Sequence, residues 1–86
     1  MDTNPNVEHL SDEHAVVGDR RIDVSNRSHL GRRKVEINWP SIGSVDLATA
    51  KRFAADLQTA IEIAERYAER NARQALSNRI ARESKN

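Results

Sequence analysis

Residues 35–68 read VEINWPSIGSVDLATAKRFAADLQTAIEIAERYA, and the prediction of the fold starts from these residues. Its first five residues alternate between apolar and polar side chains, a period that is typical of a strand with one buried face. Pro40 has no backbone N–H to donate, so it should end the strand. Beyond Asp46, apolar residues recur every three or four positions, as they do along one face of a helix. The stretch therefore predicts a strand followed by an amphipathic helix.

The start of the predicted helix has a clear capping residue. The Asp46 carboxylate can accept hydrogen bonds from the backbone amides of the first turn and favours the positive end of the helix dipole. Ser44 is the alternative cap. Since neither Pro nor Gly occurs between residues 44 and 86, the helix can continue to about Ser84.

The second half of this helix has a weaker apolar face. After Ala68 the apolar stripe narrows to Ala72, Leu76 and Ile80, on a line that is rotated around the helix. A helix over residues 47–82 would be roughly 54 Å long. Because two or three short strands cannot cover that length, the far half should contact another chain, fray, or fold back as a second helix at residues 71–77.

The residues before the strand are mostly polar. Residues 1–12 should form a disordered tail, because they lack the apolar surface that offsets the entropy of ordering. Two short apolar runs flank Gly18-Asp19, which predicts a tight hairpin turn. Residues 25–32 should be a polar loop.

These patterns predict the class and the organisation of the fold. The class is α+β, with two or three short antiparallel strands, one long amphipathic C-terminal helix and a disordered N-terminal tail. Three segments are expected: a disordered acidic tail at 1–12, a small strand-plus-helix domain at 13–70, and a basic helical extension at 71–86.

Composition limits the kinds of protein that this chain can be. Of its 86 residues, 37% are apolar and 3% aromatic, whereas ordinary domains are about 45–50% apolar. A core this thin favours a homodimer. The absence of Cys excludes disulfides and thiolate zinc sites. The first nineteen residues contain no Lys or Arg and no apolar run exceeds three residues, so we expect a cytoplasmic protein without a signal peptide or membrane helix.

Reaction chemistry is not indicated by any motif. No nucleophile, base and acid occur at a spacing that suggests a catalytic set, so we predict no enzyme activity and no cofactor. His9, His14 and His29 are the possible metal ligands, but two of them lie in the acidic N-terminal segment, and we predict no metal site. Gly43-Ser44 precedes a helix as phosphate-binding loops do, yet Asp46 would place a carboxylate where the anion should lie.

Five bulky apolar residues are candidates for binding a partner. Trp39 can anchor an interface, as Trp often does, or cover the sparse core. The bulky residues of the helix can bind a partner or pack on the strands or a second copy, and packing is the favoured interpretation. The candidate partner-binding residues are Trp39, Phe53, Leu57, Ile61 and Tyr67.

Charge is arranged in blocks although the net charge is only +1. Residues 1–19 carry five acidic residues and no basic one, while residues 20–34 carry six basic residues against Asp23. A second basic block follows residue 65. These blocks support an alternative function in nucleic-acid binding, against which the small net charge argues. The candidate residues are Arg20, Arg21, Arg32, Arg33, Lys34, Arg70 and Arg73.

Residues 35–68 also resemble a module of small, mostly uncharacterised actinobacterial and actinobacteriophage proteins. In that module a strand with Trp leads through a GSV turn into an Ala-rich helix with an A-x-x-F-A-x-x-L pattern, here Trp39, Gly43–Val45 and Ala50–Leu57. The resemblance implies a small accessory or regulatory protein and transfers no catalytic residue. Our first hypothesis is a non-enzymatic protein–protein interaction module, a phage accessory protein that binds and modulates a host protein. The alternative is a small nucleic-acid-binding regulator.

Overall fold

The fold is a four-stranded sheet covered on one face by a single helix. A computed structural model describes residues 6–41 and 43–83. The elements are β1 (Val7–Ser11), β2 (His14–Val17), β3 (Ile22–His29), β4 (Arg32–Asn38) and α1 (Leu47–Glu83). Each strand pairs with the next in antiparallel orientation, in the order β1-β2-β3-β4, and α1 contacts β2, β3 and β4. The predicted α+β class with one long C-terminal helix is therefore confirmed.

The predicted strand number is wrong, because the described residues contain four strands. β1 lies in the segment that we predicted to be a disordered tail, and β3 and β4 occupy most of the predicted loop at 25–32. Pairing with β2 and a hydrogen bond from the Gly18 N–H to the Asn6 carbonyl, 2.6 Å long, hold the polar β1 in place. Residues 1–5 of the predicted tail lie outside the described residues.

Each strand is joined to the next by a turn, and two of these three turns contain a glycine with positive φ. The predicted Gly18-Asp19 turn is confirmed as part of a four-residue connection between β2 and β3. Gly18 has φ +75°, which strains other residues, and a Cβ there would meet the Asp56 carboxylate, so glycine is favoured. Leu30 and Gly31 join β3 to β4 with φ values of 52° and 76°. Positive φ at both central residues defines a type I′ turn, which suits the twist of a hairpin.

The core lies between α1 and the middle of the sheet. Its buried members are Ala15, Val17, Ile22, Val24, Ala60, Ile63 and Tyr67. Val35 and Ile37 of β4 face the helix as predicted, but they are only half-buried. Phe53 and Leu57 on α1 are half-buried too. The core is therefore closed over β2 and β3 and thinner at β4.

The helix is longer than the sheet that supports it. α1 has 37 residues, which corresponds to about 56 Å, whereas the eight residues of β3 span about 26 Å. The helix is continuous, so of the three alternatives for its far half the second helix at 71–77 is excluded. Every side chain described after Asn71 is exposed. We call residues 72–83 the helix extension.

Asp46 caps α1 as predicted, and its carboxylate makes the stability of the helix depend on pH. The Thr49 N–H donates to Asp46 Oδ1 at 2.8 Å, and the Ala50 N–H donates to the Asp46 carbonyl at 2.9 Å. The side-chain hydrogen bond with Thr49 lowers the pKa of Asp46 below 3.8. A lowered folded-state pKa stabilises the protein above the unfolded-state pKa, and this stabilisation disappears as the pH falls through the folded value.

We therefore expect Asp46→Ala to lower the Tm at neutral pH and to lose most of this effect under acidic conditions, where the carboxylate of the normal protein is protonated. Asp46→Asn is the matched control, because Asn caps helices about as well as Asp without titrating. Thermal unfolding followed by circular dichroism measures both. An Asp46→Ala deficit that is the same at every pH would contradict the electrostatic part of this assignment.

Candidate protein-binding surface

The five predicted partner-binding residues occupy different environments. Tyr67 is buried in the core, and Phe53 and Leu57 are half-buried beneath the helix. Trp39 is 50% exposed and Ile61 37% exposed. The rings of Trp39 and Phe53 pack edge to face, with centroids 6.3 Å apart and planes at 72°. The structure thus brings Trp39 and Phe53 together beside β4 and places Tyr67 in the interior.

Tyr67 and Arg70 are committed to contacts within the chain. The Tyr67 hydroxyl is buried and has no hydrogen-bond partner among the described residues, and burial raises the pKa of Tyr67. The Arg70 guanidinium lies over the Tyr67 ring, 5.3 Å from its centroid, and donates to the Asp12 carbonyl at 2.5 Å. These contacts hold α1 against the β1–β2 turn, so both residues have a structural role.

The most exposed part of α1 is the helix extension. Leu76 and Ile80 are each 56% exposed. They are four residues apart, so they lie on one side of the helix. At 3.6 residues per turn this side points roughly opposite to that of Ile63 and Tyr67, which face the sheet. The sheet of the same chain therefore does not cover Leu76 or Ile80.

Positive charge accompanies this apolar pair. The helix extension contains Arg73, Arg79 and Arg82 against Glu83. On its sheet side, a groove separates the extension from the β3–β4 hairpin, lined by Ser28, Gly31, Arg32, Arg33, Asn71, Gln74, Ala75 and Asn78. The extension thus combines two exposed aliphatic side chains with a basic, amide-rich surrounding.

The predicted nucleic-acid residues do not form one surface. Arg20 and Arg21 lie in the β2–β3 turn, at the opposite end of β3 from the hairpin. Arg33 lies on the helix side of the sheet and forms an ion pair with Glu13. Arg32 and Lys34 alternate with Arg33 along β4, so they lie on the face of the sheet that points away from α1, which we call the open face. Arg73 lies on the helix extension. The basic residues that cluster in the sequence therefore lie at two ends of the sheet and on both of its faces.

The histidines are also dispersed. His14 Nε2 lies 2.5 Å from Asp23 Oδ1 on the open face of the sheet, and His9 lines a groove with Tyr67 and Arg70 on the helix side. The His29 side chain lies outside the part of the chain that the structure describes. Within residues 6–41 and 43–83, no three His, Cys, Asp or Glu side chains are grouped so that they could hold a metal ion.

Sequence reasoning missed three exposed side chains and undervalued two others. Leu10 on β1, Leu30 at the hairpin tip and Leu47 at the helix start are all about half exposed or more, and none belongs to a pattern that indicates a site. Leu76 and Ile80 were visible as a ridge, because their spacing of four continues from Ala72. That spacing, combined with a short sheet, is the signal that makes the extension a candidate binding surface.

Fold and surface together define an α+β domain, a four-stranded antiparallel meander with one overlong helix. Comparison of the chain with protein-family models, with curated proteins and with solved structures finds no match. Among the described residues, no helix has both the length and the apolar character that crossing a membrane requires.

Proposed function

We propose that this chain is a small non-enzymatic protein–protein interaction module whose helix extension is the main contact with its partner. The observation that supports this function best is the exposed pair Leu76 and Ile80, at a spacing of four on the side of α1 that points away from the sheet. Two aliphatic anchors at this spacing are how an amphipathic helix binds in the groove of another protein.

The charges of the extension define the chemistry of the partner. Arg73 and Arg79 lie three residues before and after Leu76, so they flank the aliphatic pair on the helix surface, and the complementary surface is an apolar groove with acidic residues at its rim. Opposite charges at an interface rim accelerate encounter and favour the correct orientation. The resemblance to actinobacteriophage proteins extends the proposal to a phage accessory protein that modulates a host protein in the cytoplasm.

We expect the double substitution Leu76→Glu, Ile80→Glu to weaken partner binding about 100-fold, since it replaces two hot-spot side chains by charges that oppose an acidic rim. The matched control is Ser77→Glu, Ala81→Glu, which adds the same charges at the same spacing on another side of the extension. Glu is a good helix former, so both variants should keep the helical circular dichroism of the original chain.

The measurement is capture from an actinobacterial lysate followed by calorimetric titration of the purified partner. The proposal requires the control to bind within a few-fold of the original chain. Equal losses in both variants would show that charge alone weakens binding and that the aliphatic pair is not the anchor.

Nucleic-acid binding is a second candidate, favoured by one observation. Arg27 and Lys34 face each other across β3 and β4 on the open face, next to Arg32. Three positive charges at one end of a sheet can contact phosphates. Neutralising Arg27, Arg32 and Lys34 together should then abolish a gel mobility shift at low salt. If the original chain gives no shift at low salt, where phosphate contacts are strongest, this candidate is excluded.

A further inference from the structure

The two edge strands of the sheet differ in how they are protected. β1 has five residues, and its register shifts between His9 and Ser11, an irregularity of the β-bulge type. β4 has seven residues that pair with β3 without a shift, and no described strand lies on its other side. Bulges protect an edge from pairing with other chains, whereas a straight edge strand is a template for such pairing.

The backbone groups that β4 offers can be assigned from its hairpin. The two-residue turn makes His29 and Arg32 a hydrogen-bonded pair. Hydrogen-bonded and non-hydrogen-bonded pairs alternate along an antiparallel ladder, so the backbone groups of Lys34 and Glu36 point toward β3. Those of Arg33, Val35 and Ile37 therefore point to the open edge.

The apolar core is also incomplete on this side. Val35 and Ile37 are half-buried, whereas Ile22 and Val24 on the neighbouring strand are fully buried. Trp39 directly follows β4 and is half exposed. The edge of β4 thus offers both a hydrogen-bonding ladder and apolar side chains that further burial would stabilise.

We propose that β4 pairs with β4 of a second copy of this chain, antiparallel and with the two-fold axis at Val35, to give a continuous eight-stranded sheet. In this register the outward-pointing Val35 pairs with itself, and Arg33 pairs with Ile37 of the second copy. Lys34 then lies opposite Glu36 of the second copy, and the symmetry repeats this pair. Opposite charges in directly facing positions stabilise a sheet.

Charge selects this register over its neighbours. Moving the axis by one residue keeps Arg33, Val35 and Ile37 on the ladder but places either Lys34 opposite Lys34 or Glu36 opposite Glu36. Like charges directly opposite each other are destabilising. The dimer does not rest on the proposed partner contact, because it uses β4 whereas that contact uses the helix extension.

The test is charge reversal followed by mixing. Lys34→Glu and Glu36→Lys should each raise the Kd of the dimer about tenfold or more, because symmetry converts both attractive pairs into repulsive ones. An equimolar mixture of the two variants should regain dimers, since every facing pair is then opposite in charge. Glu8→Lys on the open face of β1 is the control and should leave the Kd unchanged.

Sedimentation equilibrium at a series of concentrations measures these association constants, with circular dichroism to show that each variant folds. The original chain should sediment at twice its monomer mass at high micromolar concentration. A monomer at that concentration would overturn the proposal, as would a mixture that associates no better than its components. Equal weakening by Glu8→Lys would overturn it too, because charge alone would then account for the effect.

Amide hydrogen exchange gives a second readout, which distinguishes pairing of β4 with a second copy from pairing of β4 with another molecule. The amides of Arg33, Val35 and Ile37 should become at least several-fold more protected as the concentration of the chain rises. Those of Lys34 and Glu36 bond to β3 in either state and should change little. Protection of all five amides that does not depend on concentration would overturn pairing between copies.

Discussion

Replacing Ile63 by Ala should lower the free energy of unfolding by about 3 kcal/mol, within the range of about 2–5 kcal/mol found for buried large-to-Ala substitutions. Ile63 is only 2% exposed and lies among the buried side chains of α1 and the sheet. Removing three carbon atoms there loses transfer free energy and leaves a cavity. Urea unfolding followed by circular dichroism measures the change.

Ile61→Ala is the matched control for this prediction. The side chain is the same and the helix is the same, but Ile61 is 37% exposed. We expect its replacement to cost less than about 1 kcal/mol, because water already contacts much of the side chain and no closed cavity forms. The difference between the two costs should be easy to measure, because domains have only about 5–15 kcal/mol of stability in total. Equal costs at the two positions would contradict the orientation of α1 on the sheet.

The second large effect concerns two asparagines that join β3 to α1. Asn26 Nδ2 donates to Asn71 Oδ1 at 3.0 Å, and Asn71 Nδ2 donates to Asn26 Oδ1 at 2.9 Å. Asn26 is only 5% exposed. Asn71→Ala should therefore cost about 2 kcal/mol of stability, because it leaves a buried amide without its partner.

A double-mutant cycle isolates the interaction between these two side chains. Asn26→Ala removes the other amide, and the double variant should cost about 1–2 kcal/mol less than the sum of the single variants. Asn78→Ala, at an exposed Asn on the same helix, should stay within about 0.5 kcal/mol of the original chain. The four free energies of unfolding come from the same urea titrations. Additive single effects would show that the two amides do not stabilise each other.

The Asn26–Asn71 pair also explains why the course of the helix after residue 71 could not be predicted from the sequence. Asn71 interrupts the apolar stripe of the helix, and from the sequence alone this interruption indicated a possible chain reversal. The helix instead continues, because the polar side chain meets a polar residue 45 positions earlier. No local pattern reveals a hydrogen bond between residues that far apart in the chain.

The elements that sequence predicted well are those that local chemistry determines. Val35 and Ile37 alternate with polar residues, and they form a strand with these two side chains toward the helix. Asp46 caps the helix, and the lack of Pro and Gly beyond it lets α1 continue to Glu83. Each of these features depends on neighbours within a few residues.

The elements that sequence missed depend on tertiary contacts. β1 and the second half of β3 contain few apolar residues, because one face of the sheet is open and the end of the sheet lies beyond the core. Leu30 adopts positive φ, which is uncommon for a non-glycine residue, and it gave no turn signal. These segments are ordered by pairing with their neighbours rather than by their own propensities.

The candidate surface was predicted only in part for a related reason. The bulky residues of the helix were candidate anchors from sequence, with packing as the favoured interpretation, and Tyr67 does pack on the chain's own sheet. Which side of a helix stays exposed depends on the width and length of the sheet beneath it. Once β3 is known to be less than half as long as α1, the exposed ridge of Leu76 and Ile80 becomes the better candidate for a contact with another protein.

Affinity capture with and without nuclease distinguishes a protein partner of this chain from a nucleic acid. The tagged 86-residue chain is incubated with an actinobacterial lysate, and half of each sample is treated with nuclease before elution. Our account predicts a protein partner that is retained in both halves and lost from the Leu76→Glu, Ile80→Glu variant. Captured proteins that all disappear after nuclease treatment would contradict it, because the chain would then bind nucleic acid rather than protein.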